Sequence, residues 1–173
     1  GEKEPILASV GALIPRKGQE LVLRALVGLP DARLLLVGKG PDEARLRTLS
    51  DELGIGARVH LLGSLDHDLL PLVLSAANAM VLPSASEGLA NAWVEALACG
   101  TPIVIADAGG ARELVRGPAA GLIVAREPEA IARGVRMVLG QSATRAETAQ
   151  VVEGFGWAQH AEALARLYAK VIG

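Results

Sequence analysis

Two acidic residues, Glu87 and Glu95, stand eight positions apart in the run PSASEGLANAWVEALACG (83–100), among small and apolar neighbours. If a helix starts at about Gly88, the helical rise puts them roughly 12 Å apart along its axis. That is too far to share a proton. It also exceeds the separation of about 5 Å, or up to about 9.5 Å, that the two modes of glycoside hydrolysis require of a carboxylate pair. Each acid therefore needs its own polar partner, and two accepting oxygens suit a vicinal pair of hydroxyls. The competing reading has Glu87 complementing a helix dipole, worth about 0.3–1 kcal/mol, and Glu95 turned to solvent. Spacing alone leaves both open.

Cations and glycines recur at similar punctuation points. Arg16 and Lys17 fall in IPRKGQ, Lys39 lies between Gly38 and Gly40, and Gly63 closes VHLLG. Adjacent cations such as Arg16 and Lys17 repel unless an anion lies between them. Glycine-rich turns and a helix start supply unpaired N–H groups and a positive dipole end, so phosphate is the natural guest. The alternative is that the glycines serve only the turns and the cations are solvated. Asp107, Gly109 and Gly110 form a further strand-end cluster that faces a ligand or simply turns the chain.

These residues matter only if the fold gathers them. ILASVGAL reads as a buried strand, and ARLLLVGKG, RVHLLG, NAMVLPS, TPIVIAD and AGLIV as further short strands. Between them KGQELVLRALVGL, PDEARLRTLSDELG, DHDLLPLVLSAA, the stretch after Glu87, GGARELV and EPEAIARGVRMVLG read as helices. Alternation of this kind predicts an α/β fold, a doubly wound Rossmann-like parallel sheet of about six strands with helices on both faces. Residues 1–173 form one domain, with no linker or repeat. Ligands of such sheets bind beyond the carboxyl ends of the strands, where the strand order reverses. The tail WAQHAEALARLYAKVI carries Ala161, Leu164, Tyr168 and Val171 on one helical stripe that needs a surface to cover.

Composition removes other functions. A net charge of −2 and only two Trp, one Tyr and one Phe leave neither a basic field nor a stacking platform for nucleic acid. The apolar runs are too short to span a bilayer and no signal peptide opens the chain, so a cytoplasmic protein is expected, with peripheral membrane association of a longer enzyme still compatible. Cys99 is the single cysteine and reads as buried filler. His60, His67 and His160 have no metal-ligand spacing, and neither a metal nor a cofactor is expected.

The run SEGLANAWVEALACGTPIVIADAGGARELV resembles the donor-binding half of retaining GT-B glycosyltransferases, the group that includes glycogen and sucrose synthases. The hallmark is a Glu, seven residues, then a Glu, here Glu87 and Glu95. SVGALIPRKG, LLLVGKGP, VHLLG, ANAMVLPS, AGLIV and FGWAQHAEALARLYAKV extend the likeness over nearly the whole chain. The resemblance implies a nucleoside-diphosphate sugar, UDP-, GDP- or ADP-linked, as substrate. Arg16 and Lys17 would hold the diphosphate, Glu87 the sugar hydroxyls, Glu95 the ribose, and the N–H groups of Gly88, Leu89 and Ala90 the phosphates. The loops at Gly11, at Gly38 and Gly40, and at Gly63 would border the same ligand.

That reading has the sugar passing to an acceptor with retention, metal-independently, in a full-length enzyme that adds an N-terminal acceptor domain. It requires Arg16 and Lys17 to face the helix mouth and Glu87 to stay out of an internal ion pair. Where the family has Gly-Arg the chain has Gly11-Ala12, and where it often has Gly-Phe-Gly the chain has Gly88-Leu89-Ala90. Ala90 is expected to narrow the backbone's approach to phosphate while leaving its N–H available. The alternative within the same ligand class is a non-catalytic nucleotide-sugar-binding module. A dinucleotide-dependent oxidoreductase needs Gly-x-Gly-x-x-Gly after the first strand, and GALIPRKG lacks that spacing. An epimerase or phosphorylase of similar architecture is a smaller rival.

Overall fold

The computed structural model describes residues 4–66 and 68–172, without the side chains of residues 157–160, 163, 171 and 172. His67 and the side chains of His160 and Val171 fall outside what is described. Six strands, β1 (Ile6–Val10), β2 (Arg33–Val37), β3 (Val59–Gly63), β4 (Ala79–Leu82), β5 (Ile103–Ala106) and β6 (Gly121–Val124), form one sheet. Every pairing is parallel, in the order β3-β2-β1-β4-β5-β6. The expected doubly wound architecture is therefore present.

Between the strands run α1 (Gln19–Val27), α2 (Glu43–Glu52), α3 (Leu70–Ala76), α4 (Asn91–Ala98) and α5 (Ala111–Leu114), and α6 (Pro128–Leu139), α7 (Arg145–Gln150) and α8 (Trp157–Ile172) follow β6. Strand pleating sends alternate side chains to opposite faces. Leu7, Leu34, Leu36, Val81 and Val104 join α1, α2 and α6 in one core through Val22, Leu26, Leu46, Ile131 and Val135. Ala8, Met80, Leu82, Ile103 and Ile105 join α3, α4 and α5 in the other through Leu74, Trp93, Leu97 and Leu114. Fully buried strands of this sort read as continuous apolar runs, which is why they were legible.

Two features depart from the sequence expectation. α7 was not anticipated, although Thr144 and Glu147 form a capping box in which Glu147 accepts from the Thr144 N–H at 2.7 Å and its own N–H donates to the Thr144 hydroxyl. In α8, Ala161, Leu164 and Tyr168 are exposed, so nothing among the described residues covers that stripe. No helix among the described residues is long and apolar enough to cross a membrane.

The strand order reverses between β1 and β4, where Leu7 pairs with Ala79 and Ala8 with Met80. The connections leaving these two strands diverge to opposite faces, one into α1 and the other into α4. In doubly wound sheets such a divergence is where a crevice opens at the carboxyl edge. Gly38, at the end of β2, closes the adjacent part of that edge. Its φ is +137°, and a Cβ there would fall 2.0 Å from the Gly11 carbonyl oxygen. Gly38→Ala is expected to cost about 2–4 kcal/mol through backbone strain and overpacking. Urea unfolding should show it as a lowered midpoint at unchanged slope.

Candidate functional site

The β1–α1 connection runs from Gly11 to Gly18 and holds a 3-10 turn at Pro15–Lys17. Pro15 at the start of that turn fixes its backbone angle. The turn presents Arg16 and Lys17 from consecutive positions toward the β4–α4 connection. Buried Gln19 stabilises it from behind, its amide donating to the Ala12 carbonyl at 3.0 Å. Gly11, whose φ of +154° favours glycine, lies against the aliphatic stem of Lys17 at ordinary contact distance.

Across the crevice, Ser84 to Ala90 form an extended loop. The Ala85 N–H donates to the Arg16 carbonyl at 2.8 Å, joining the two connections directly. The loop is also fixed from the β5 side, where the Gly110 N–H donates to the Gly88 carbonyl at 2.7 Å. Gly109 permits that contact: its φ is +52°, and a Cβ would fall 2.0 Å from the Gly88 oxygen and 2.3 Å from the Glu87 oxygen. The 109–110 pair is thus a buttress of the Glu87 loop as well as a turn.

This buttress corrects the expected start of the helix. α4 begins at Asn91, with Ala90 as its extended N-cap (φ −71°, ψ 121°), rather than at about Gly88. Glu87 therefore lies in the loop, off the helix, and the axial separation from Glu95 does not apply. Ala90 is also corrected. It is buried with Trp93 and Leu97 in the second core, so its methyl group points inward and does not obstruct the mouth. Among the described residues, no acceptor is bonded to the N–H groups of Gly88, Leu89 and Ala90. Together with the start of α4 they form a set of unsatisfied donors and a positive dipole end.

The three charged residues meet here. Lys17 Nζ donates to Glu87 Oε1 at 2.5 Å, and Arg16 stands 3.7 Å from Glu87 Oε2 while donating to the Ser86 carbonyl at 2.5 Å. The side chains of Lys17 and Glu87 are 14% and 8% exposed, and that of Arg16 is 48% exposed. Arg16 and Lys17 do face the loop that leads into α4, as expected. Glu87, contrary to the condition set above, is engaged in an ion pair, and its partner is the cation of the same site. Burial pushes the Glu87 carboxyl up, but the Lys17 hydrogen bond, the nearby Ser84 hydroxyl and the charges of Lys17 and Arg16 outweigh it and hold the group below its ordinary value. The Ser84 hydroxyl is itself buried and makes no hydrogen bond of normal geometry among the described residues.

Other candidates sit at varying remove. Glu95, on the second turn of α4, is half-buried and has no side-chain hydrogen bond or ion pair among the described residues. Gly38 and Gly40 are occupied by the fold: both press against the β1–α1 connection, Gly40 at the Leu13 carbonyl. Gly63 borders the stem of exposed Lys39, which is not brought to Glu87. Asp107 forms an exposed ion pair with Arg112. Cys99 is free and partly buried against the second core.

A model of the family Glycosyl transferases group 1 matches residues 1–153. D-inositol 3-phosphate glycosyltransferase from Mycobacterium leprae is 35% identical over 181 residues, which cover 97% of this chain and 42% of that protein. Its counterpart from Mycobacterium tuberculosis is also 35% identical, over 98% of this chain and 38% of its own length. The chain thus spans less than half the length of these relatives. Sucrose-phosphate synthase from Thermosynechococcus elongatus superimposes with a TM-score of 0.86 at 32% identity, over 98% of this chain and 46% of that one. HepE from Anabaena, solved in complex with UDP and glucose, gives 0.82 at 28% identity, over 95% and 49%.

The ion pair sets a pH dependence. Because the Glu87 carboxyl is held below 4.5, its contribution to stability is complete above that value and is lost as pH falls through the lower folded-state value. Glu87→Gln removes the titrating group. The stability difference between the parent chain and Glu87→Gln, measured by urea unfolding, should therefore shrink as pH is lowered from about 5 toward 3.

Proposed function

The chain belongs to the glycosyl transferases group 1 family, and from that membership we propose that its β1/β4 crevice binds a nucleoside-diphosphate sugar for transfer of the sugar to an acceptor. One observation carries the proposal. Two connections from adjacent strands bring Arg16, Lys17 and Glu87 into contact on the loop that also carries the unbonded N–H groups of Gly88–Ala90. Cations and backbone donors suit a diphosphate, and a carboxylate beside them suits neutral hydroxyls.

In this reading Lys17 and Arg16 take the diphosphate, Glu87 accepts from hydroxyls of the sugar, and Glu95 accepts from the ribose. Lys17 exchanges Glu87 for a phosphate oxygen, and Glu87 exchanges Lys17 for sugar hydroxyls. Neither charge is left without a partner, which is the costly outcome for a buried ion. Rims at Gly11, Gly38, Gly40 and Gly63 border the nucleoside. The UDP held by HepE supports a uridine nucleotide as the first to try.

Chemistry follows from where charge develops. As the bond from the anomeric carbon to the diphosphate oxygen breaks, negative charge grows on the leaving group beside Arg16, Lys17 and the start of α4. Groups placed in advance stabilise that charge more than the ground state. A bond to the acceptor oxygen forms on the face the leaving group departs, giving retention, and the acceptor proton passes to a leaving phosphate oxygen. Protein cations supply the charge compensation, so the step proceeds without a metal. Turnover needs an acceptor-binding unit supplied by the remainder of a longer protein, as the greater length of the relatives supports. The chain alone binds the donor without turning it over.

Calorimetric titration with UDP, GDP and ADP tests the reading directly, and binding of NAD but none of these would overturn it. In a full-length enzyme, Lys17→Ala should reduce kcat by about 10²–10³, the loss typical of one charge-stabilising donor. Glu87→Gln separates the two halves of the site. UDP should bind it as tightly as the parent chain or more so, since a competing anion is gone, whereas UDP-glucose should lose its advantage over UDP.

A further inference from the structure

We infer that Arg126 is a positioning residue for the phosphate-facing loop, acting through the Pro83 carbonyl; the inference rests on the donor-binding reading above. Arg126 lies two residues past the end of β6 and two before the start of α6. Its side chain reaches back past β5 to the exit of β4, where Nε donates to the Pro83 carbonyl oxygen at 2.8 Å. Pro83 is the first residue of the segment that carries Ser84, Glu87 and the unbonded N–H groups. The same oxygen is pressed from the other side by Gly18, at which a Cβ would fall only 2.6 Å away.

The loop is thus tied to the ends of three different strands. Ala85 is bonded to Arg16 after β1, Gly88 to Gly110 after β5, and Pro83 to Arg126 after β6. The first two ties are backbone to backbone and survive most substitutions. The third depends on one side chain. The peptide between Pro83 and Ser84 is also held at its other end, where the Ser84 N–H donates to the Leu82 carbonyl at 2.9 Å. Without Arg126 its carbonyl end loses a hydrogen-bond partner, and any tilt that follows is passed to Glu87 and to the donors beyond it.

The geometry of Nε matters here more than the charge. Arg126 lines a groove with Glu20, Asp42 and Arg45. Those acids already pair with arginines of their own: Glu20 with Arg24 and Arg45, and Asp42 with Arg45. Among the described residues Arg126 itself forms no ion pair. Gln carries an N–H at the same number of bonds from Cα as Arg Nε, without charge, so Arg126→Gln can keep the tie that Arg126→Ala loses.

The experiment titrates UDP into the parent chain, Arg126→Ala and Arg126→Gln, and follows amide hydrogen exchange at Ala85 and Gly110. Arg126→Ala should weaken UDP about three- to tenfold, the range of one lost hydrogen bond, and should speed exchange at both amides with little change in urea midpoint. Arg126→Gln should restore UDP affinity to within about twofold and restore exchange. Parent-like binding and exchange in Arg126→Ala, or an Arg126→Gln that behaves like Arg126→Ala, would overturn the positioning role. If the parent chain binds none of UDP, GDP and ADP, the donor-binding reading fails instead, and the exchange rates alone still decide whether Arg126 holds the loop.

Discussion

Pairing of β1 with β4 is the constraint on which the site depends. These strands are neighbours in space but not in sequence, and only two residue pairs, Leu7 with Ala79 and Ala8 with Met80, record their register. Because α1 lies on one face of the sheet and α4 on the other, the loops after β1 and β4 part at the strand ends. Residues 16–17 and 87 come from loops some seventy positions apart, yet they meet because both strands stop at the same height. The buried apolar strands on either side fix that height: Val81 and Leu82 are both fully buried, each in a different core.

Within that frame, electrostatics decide which arrangement persists. A half-buried lysine and a nearly buried glutamate each lose hydration, and their mutual attraction roughly offsets that loss, so such pairs add little net stability. Apolar residues of similar volume would satisfy the fold at least as well. A pair kept at the switch point of a doubly wound sheet, next to unbonded N–H groups, is better understood as two charges held ready for other partners. The backbone ties around it, from Gly110 to Gly88 and from Ala85 to Arg16, keep that readiness from being lost to loop motion.

Much of this was legible in the residues themselves. Strand and helix order followed from apolar runs and their punctuation, and Arg16, Lys17 and Glu87 were singled out by type and by position after strands. The misreadings share a cause, which is contact with backbone distant in sequence. Gly88–Ala90 are compatible with a helix start until Gly109 and Gly110 press on them. Gly38 and Gly40, whatever they border, also answer a packing demand that their own neighbours do not signal, since the carbonyls of Gly11 and Leu13 occupy the space a side chain would take. Arg126 bonds a carbonyl forty-three positions away, and nothing in its own neighbourhood signals that. α7 is different, for Thr144 and Glu147 carried a capping signal that could have been read.

The strand order found here is also that of dinucleotide-binding sheets, so topology alone does not select the ligand. What separates the two is which helix start is open. In the dinucleotide fingerprint the turn after β1 is short and glycine-rich, and the next helix meets the pyrophosphate. Here eight residues, Gly11–Gly18, separate β1 from α1. Gly18, the N-cap of α1, packs against the Pro83 carbonyl oxygen, to which Arg126 donates, and the start of α1 borders a groove that already holds the carboxylates of Glu20 and Asp42. The open start belongs to α4, one strand further along the sheet, and the long first connection is free to carry Arg16 and Lys17 across to it. On the reading proposed above, the same six-stranded frame takes its diphosphate at the fourth crossover rather than the first.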